Sequence, residues 1–221
     1  GSVAVVDWPK EETALTRAAM AEANAIIAYG SDTTIAELRK LTPAGVRFFG
    51  YGHRVSFGVI TREAIIGKEL AEAAAFDASV YDQQGCLSPQ VFYVENGARE
   101  FTAMLAEAMA TYQARIPRGT LTTEESAAIA QLRQAYGFRS ASDRRVAGWA
   151  GDGWTVIYED DPTFTPSCLN RTVFVKPIDD FKRVLDNVQR FAGKVSTVGL
   201  VPMNEFADDL IRMGIHRICP I

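Results

Sequence analysis

The fold is decided by the stretch AIIAYGSDTTIAEL, residues 25–38. Its first five residues predict a buried strand, which runs directly through Gly30 and Ser31 into a helix from about Thr33 to Lys40. A helix at 11–24 precedes this stretch and a strand at 46–49 follows it. Strands and helices that alternate with short connections are typical of a parallel sheet, so the stretch predicts an α/β fold.

The Gly30–Ser31 junction has two interpretations. Ser31 or Asp32 can cap the following helix while Gly30 permits the turn, and this needs no ligand. The free N–H groups of the same helix N-terminus would also fit a phosphate, although Asp32 is an unfavourable neighbour for an anion. In open α/β sheets, ligands bind at such junctions between a strand and a helix.

The alternation continues on both sides of this stretch, and a boundary near Gly50 divides the chain into predicted domains at 1–50 and 51–221. Residues 139–145 are expected to be a solvated connection, and the helix at 62–80 to be buried on most sides. The other predicted strands are 3–6 (buried), 55–60, 90–95, 154–158, 172–176, 195–200 and 216–219, and the other predicted helices are 97–114, 123–136, 179–190 and 204–213.

The composition excludes several classes of protein. The 221 residues include 23 basic and 27 acidic ones, so no basic patch of the nucleic-acid-binding kind is expected. No apolar run approaches the roughly 18 residues that a membrane span needs. With three cysteines, two histidines and neither CxxC nor HExxH, we expect no disulfide framework and no metal site. These features predict a cytoplasmic protein.

The loop YDQQGCLSP, residues 81–89, holds the strongest candidate for chemistry. Cys86 follows a glycine that permits a tight turn and lies between an alanine-rich helix and a strand. Nucleophilic thiols are often presented on such loops, where backbone N–H groups can meet an oxyanion. The alternative is a free cysteine buried as a small hydrophobe. Cys168 is the second candidate nucleophile, and no glycine precedes it.

His53 lies in the segment GYGHR, residues 50–54, whose two glycines predict an unusual backbone conformation. The unperturbed pKa of histidine suits proton transfer near neutral pH, so His53 is a candidate acid or base. A plain surface histidine is the alternative. His216 lies in an apolar run and is expected to be structural.

Four segments together, residues 28–35, 51–57, 82–89 and 166–171, resemble the LuxC-like acyl-CoA (fatty-acid) reductases of the aldehyde dehydrogenase superfamily. The resemblance covers nearly the whole chain. It implies an α/β, aldehyde-dehydrogenase-like fold. In this fold, 1–50 belong to a partial Rossmann-type parallel sheet that binds the cofactor, and 51–221 form an α/β catalytic domain.

The resemblance also implies roles for particular residues. Cys86 would take the acyl group from an acyl-CoA, and His53 stands where the wider superfamily has a glutamate base. Gly30 and Ser31 would lie near the phosphates of NADPH, with NADH as the alternative cofactor. The loop of Cys168 and Asn170 would reach the active site. Partner enzymes that supply the acyl group and a homo-oligomeric full-length protein are implied as well.

One departure from the family is visible: most of the amino-terminal cofactor region, with the superfamily's asparagine oxyanion donor, is absent. We therefore expect a fragment. Two other functions stay open on the residues alone. The same cysteine could serve a cofactor-independent acyl transferase or thioesterase, or the region could be a non-catalytic structural or interaction domain.

Overall fold

The computed structural model describes residues 1–203, 206–215 and 217–221. These residues form two compact units, Gly1–Arg54 and Val55–Ile221. None of the described helices is long and apolar enough to cross a bilayer.

The first unit is a βαβ arrangement preceded by a helix. Its elements are α1 (Thr13–Ala21), β1 (Ala25–Tyr29), α2 (Asp32–Leu41) and β2 (Arg47–Tyr51). The two strands pair in parallel, with Ala25 opposite Arg47 and Tyr29 opposite Tyr51. The alternation read from residues 25–49 therefore predicts the local topology correctly.

Two expectations for this unit are wrong. Val3–Val6 form no strand, and Val3 and Val5 are both 93% exposed because neither packs in a sheet. Strand β1 is also not buried as a whole, since only Ala28 is buried. A two-stranded sheet has little apolar surface of its own to cover its faces.

The second unit is built on a seven-stranded sheet of order β5-β6-β7-β4-β3-β8-β9. All neighbouring pairs are parallel except β5 and β6, which are antiparallel. The elements are β3 (Val55–Ile60), α3 (Lys68–Ser79), β4 (Pro89–Val94), α4 (Ala98–Arg115), α5 (Thr123–Ser142), β5 (Val146–Gly151), β6 (Trp154–Glu159), β7 (Thr172–Pro177), α6 (Phe181–Val188), β8 (Val195–Val201), α7 (Phe206–Arg212) and β9 (Ile218–Cys219).

The core lies on both faces of this sheet. Along β4, Phe92 and Val94 belong to one apolar cluster, while Val91 and Tyr93 belong to the other. Side chains alternate between the faces of a strand, so the two clusters cover opposite faces. Parallel strands buried on both faces read as continuous apolar runs, which explains why the central strands were predictable.

Several boundaries differ from those predicted. Helix α3 begins at Lys68 rather than Arg62, and its buried residues form a single alanine-rich face. Helix α5 continues through Gly137 to Ser142, so the predicted solvated connection is largely helical. Strand β5, which no sequence signal indicated, follows at once. Helices α6 and α7 are shorter than expected. The predicted start of α7 at Asn204, and His216, lie outside the described residues.

Candidate active site

Cys86 lies at the centre of a turn between α3 and β4. The Ser88 N–H donates to the Gly85 carbonyl at 3.0 Å, which places Cys86 and Leu87 at the two central positions. The thiol is free and exposed. In the described chain Cys86 is therefore presented at the surface and is not packed as a small hydrophobe.

The Cys86 carbonyl is held by a buried serine on β3. Ser56 Oγ donates to this carbonyl at 2.6 Å and accepts from the Thr197 N–H at 3.1 Å. By contrast, the Cys86 N–H donates no hydrogen bond within the part of the chain that the structure describes. The turn thus fixes the backbone of Cys86 while leaving its N–H able to meet an oxyanion.

The loop gets its shape from left-handed residues and not from Gly85, whose φ is not positive. Tyr81, Asp82 and Gln83 have φ of 53°, 53° and 64°. A second left-handed run, at 169–171, has φ of 59°, 55° and 64°. Such a conformation costs about 1–2 kcal/mol per non-glycine residue, so other contacts must stabilise both runs.

The two left-handed runs are bound to each other. Arg171 Nη2 and Nε reach Asp82 Oδ1 at 2.6 and 2.8 Å. Gln83 accepts from the Thr172 N–H at 2.9 Å and donates to the Pro89 carbonyl at 2.8 Å. Arg171 is only 3% exposed, so this ion pair lies in a poorly solvated place. The first part of the cysteine loop is therefore bound to the segment that follows Cys168, and Gln83 links it to Pro89 at the other end of the loop.

Asn170 is part of the same contact. Gln84 Nε2 donates to Asn170 Oδ1 at 2.9 Å and to Glu125 Oε1 at 3.3 Å, and Asn170 Nδ2 donates to the same Glu125 oxygen at 3.2 Å. The Thr122 N–H, and after it Asn170, lower the pKa of Glu125. The structure thus brings Asn170 into direct contact with Gln84 of the cysteine loop.

Cys168 is half-buried and lies elsewhere. It does not line the pocket beside Cys86, and it interacts electrostatically with Arg133, which is therefore its neighbour. Of the two cysteines, Cys86 alone combines exposure, a pocket and an unpaired N–H in the described chain.

A largely apolar pocket of about 370 Å³ lies beside Cys86. Phe57, Val80, Phe92 and Ile221 contribute apolar walls. Asp77 also lines it, and burial raises the pKa of this carboxyl above its ordinary value. The volume of this pocket is in the range of small-molecule pockets, and its apolar walls would suit a hydrocarbon chain.

The first unit holds the remaining predicted site residues. Ser31 caps α2, because its Oγ accepts from the Thr34 N–H at 3.0 Å. Asp32 Oδ1 accepts from the His53 N–H at 3.0 Å. Gly30, Ser31 and His53 therefore lie around one helix N-terminus in this unit.

The expected unusual conformation of the glycines near His53 is wrong. Neither Gly50 nor Gly52 has a positive φ. Each is needed for space instead: a Cβ on Gly50 would lie 2.5 Å from Ile35 Cγ2, and one on Gly52 would overlap the Asp32 carboxylate.

Sequence reasoning missed the residues that support the site: Ser56, Asp82, Gln83, Gln84, Glu125 and Arg171. A signal was present for some of them. Asp82, Gln83, Gln84 and Arg171 lie inside two of the segments that carry the family resemblance. Ser56 also lies inside such a segment, 51–57, although nothing there indicated its contact with Cys86, 30 residues away. Glu125 had no signal as a supporting residue, since Gln84 is 41 residues away from it.

The class of protein follows from the fold. The chain superposes on the P. syringae AldA indole-3-acetaldehyde dehydrogenase in complex with NAD+ and IAA, with a TM-score of 0.65 and 12% identity over 93% of this chain and 46% of that one. A proline utilization A protein from Bradyrhizobium japonicum gives a TM-score of 0.69 at 15% identity, over 95% and 24%. The chain has the aldehyde dehydrogenase fold.

The family follows from sequence. The profile described as acyl-CoA reductase (LuxC) matches residues 1–221, and the chain belongs to this family. A long-chain acyl-protein thioester reductase from Aliivibrio fischeri is 28% identical over 98% of this chain and 45% of its own length. The reductase of that name from Vibrio harveyi is 24% identical, over the same shares. The chain thus spans less than half the length of these relatives.

Proposed function

We propose that this chain carries the acyl-accepting cysteine of a reductase that converts a long-chain acyl thioester into an aldehyde. The observation that carries the proposal is the environment of Cys86. It is exposed beside an apolar pocket, its carbonyl is anchored by Ser56, and its N–H is unpaired in the described chain. The family and the names of the relatives support the reaction class.

The chemistry follows from the thiolate, which is the nucleophilic form of cysteine. Cys86 Sγ attacks the thioester carbonyl, and the negative charge passes to the carbonyl oxygen, which the Cys86 N–H stabilises. The bond to the departing thiol then breaks, and the acyl group remains on Sγ as a new thioester. His53 is proposed to manage the proton that the Cys86 thiol gives up and the leaving thiolate takes.

The residues around Ser31 fit the phosphates of a nicotinamide cofactor. Helix α2 begins there, the Ser31 hydroxyl faces its first turn, and the Asp32 carboxylate is engaged by the His53 N–H. Gly30 leaves the approach free of a side chain. When bound, such a cofactor would supply the hydride that reduces the acyl group. NADPH is the proposed form. The unit Gly1–Arg54 would then contribute to cofactor binding and Val55–Ile221 to acyl transfer.

Two acyl donors follow from the comparisons. The family is named for acyl-CoA, whereas the relatives from A. fischeri and V. harveyi are named for acyl-protein thioesters. Both donors present the same thioester carbonyl to Cys86, so we propose a long-chain acyl thioester as substrate class. A partner enzyme that supplies the acyl group, and a homo-oligomer of the whole protein, are proposed on the family resemblance.

A product assay on the full-length protein tests this function. The protein is mixed with a long-chain acyl-CoA or with an acylated partner protein. Each mixture is prepared with NADPH, with NADH and without cofactor, and the aldehyde and free fatty acid formed are measured. We expect aldehyde in amounts equal to the cofactor oxidised. Fatty acid or a transferred acyl group formed equally well without cofactor would contradict the proposal and favour the thioesterase or acyl transferase.

A further inference from the structure

A second concave site lies away from the Cys86 pocket. It is a space of about 440 Å³ between α5, the loop after α4, and the turn between β5 and β6. Arg118 and Arg133 both line it, Leu121 and Ile129 provide an apolar wall, and Asp152 lies at its edge.

Arg133 is held in a fixed orientation by neutral acceptors. Its Nε donates to Thr155 Oγ1 at 2.8 Å, and its Nη2 donates to the carbonyls of Gly151 and Trp154 at 3.0 and 2.8 Å. None of these oxygens carries a charge. The fold therefore fixes the position of the guanidinium. Among the described residues its Nη1 has no hydrogen-bond partner, so Nη1 and the positive charge can meet a ligand.

Arg118 adds a second unbalanced charge. Its Nε is buried and has no hydrogen-bond partner among the described residues, and its Nη1 makes only a long contact of 3.5 Å to the Asn170 carbonyl. Burial, and after it the charge of Arg118, lower the pKa of Arg133, so the two guanidiniums repel each other. In the described chain no carboxylate lies at ion-pair distance from either arginine.

We propose that this pocket, which we call the Arg118–Arg133 pocket, binds the phosphate group of a small molecule. Two guanidiniums that are poorly neutralised and face one cavity match a dianion better than a monoanion, and guanidinium geometry suits phosphate oxygens. Leu121 and Ile129 would cover the apolar part of the molecule next to its phosphate. This site is independent of the function proposed for Cys86.

The test is a calorimetric titration of the full-length protein with three probes: inorganic phosphate, phenyl phosphate and benzoate. Phenyl phosphate is expected to bind more tightly than inorganic phosphate because of the apolar wall, and benzoate more weakly than either. Arg118→Gln should weaken phenyl phosphate binding by about tenfold or more, the usual effect of losing a charged hydrogen bond. Rising salt should weaken binding in the unchanged protein.

Two further variants separate binding from folding. Asp152→Asn removes the negative charge at the pocket edge and should tighten phosphate binding about two- to fivefold, in keeping with an exposed charge pair. Arg115→Gln removes a positive charge outside the pocket and should leave the affinity for phosphate unchanged. Three results would each overturn the proposal. They are the absence of phosphate binding, phosphate binding that Arg118→Gln does not change, and benzoate binding as tight as that of phenyl phosphate.

Discussion

Cys86 owes its position to few atoms. Its carbonyl accepts one hydrogen bond from Ser56, and the same serine accepts one from the Thr197 N–H. Ser56 is 1% exposed, so water cannot easily replace its hydroxyl. The structure therefore predicts that the buried Ser56 hydroxyl, remote in sequence, controls the position of the proposed nucleophile.

Ser56→Ala removes the donor to the part-buried Cys86 carbonyl and the acceptor of the buried Thr197 N–H. Unpaired buried groups typically cost about 1–3 kcal/mol each, so the free energy of unfolding should fall by at least about 1 kcal/mol in urea titrations. Acylation of Cys86 should slow at the same time. Thr172→Val is the matched control, because the buried Thr172 hydroxyl has no partner in the described chain and its loss should cost little. Equal effects of the two variants would contradict this role of Ser56.

Asp77 gives a prediction on pH. Burial raises the pKa of this carboxyl above the ordinary 3.8, so the folded state holds its proton more tightly than the unfolded state does. The associated stability is present below 3.8 and is lost as the pH rises through the raised folded value. Relative to the unchanged protein, Asp77→Asn should therefore gain stability over that window and keep the gain at neutral pH.

Urea unfolding from acid to neutral pH measures this effect. Asp186→Asn, on an exposed part of α6, makes the same change of charge without the burial. A difference between Asp77→Asn and the unchanged protein that stays constant across the range would show that the carboxyl is not perturbed.

At the scale of elements, the cysteine loop and the 169–171 segment form one unit. Two runs of three left-handed residues each, 81–83 and 169–171, persist because Arg171, Asp82 and Gln83 join the runs by hydrogen bonds. Neither run is stable by local preference alone. The loop that presents Cys86 thus depends on the segment that leads into β7.

Arg171→Met tests this dependence. It removes the ion pair to Asp82 and the bonds to Gln113 Oε1 at 2.7 Å and to the Ile116 carbonyl at 2.8 Å. The Asp82 carboxylate left behind is 27% exposed and keeps the Gly119 N–H, so the cost comes mainly from the Gln113 and Ile116 oxygens that lose a charged donor. We expect a loss of about 2 kcal/mol or more in unfolding experiments.

Arg183→Met is the matched control for that variant. The Arg183–Asp179 pair has side chains 59% and 83% exposed, so its loss should cost less than about 1 kcal/mol. Comparable losses in the two variants would show that the Asp82–Arg171 pair does not hold the loops together.

The same elements show what sequence could and could not predict. Strands β4 and β7 read clearly because both are continuous apolar runs buried on two faces. Strand β5 was missed because four of the six residues of VAGWAG are alanine or glycine, which do not favour a strand by themselves; it forms by pairing with β6. Helix α5 passes Gly137 because one glycine costs only about 1 kcal/mol against twenty residues of otherwise favourable helix.

For the candidate site, the sequence singled out Cys86 but not the residues that contact its loop. Cys86 stands out because a cysteine on a loop between two rigid elements is visible locally. The contact between Asp82 and Arg171 joins positions 89 residues apart, and no periodicity or spacing reports such a distance. The exposed Val3–Val6 run was predicted wrongly for the opposite reason, because a local signal was present but the distant partner was not. Its β-branched residues favour a strand, but no neighbouring strand pairs with it in the described chain.

At the scale of the whole molecule, the fold is that of aldehyde dehydrogenases and the family is that of LuxC acyl-CoA reductases. The unit Val55–Ile221 holds the thiol, its pocket and its supporting contacts. Acyl transfer to Cys86 can therefore be measured separately from hydride transfer.

Acyl transfer to Cys86 is tested by intact-mass spectrometry of the full-length protein after it is mixed with a long-chain acyl thioester. The unchanged protein and Cys168→Ala should each gain the mass of one acyl group, while folded Cys86→Ala should gain none. An adduct that persists in Cys86→Ala, or that disappears in Cys168→Ala, would contradict the assignment of Cys86 as the nucleophile.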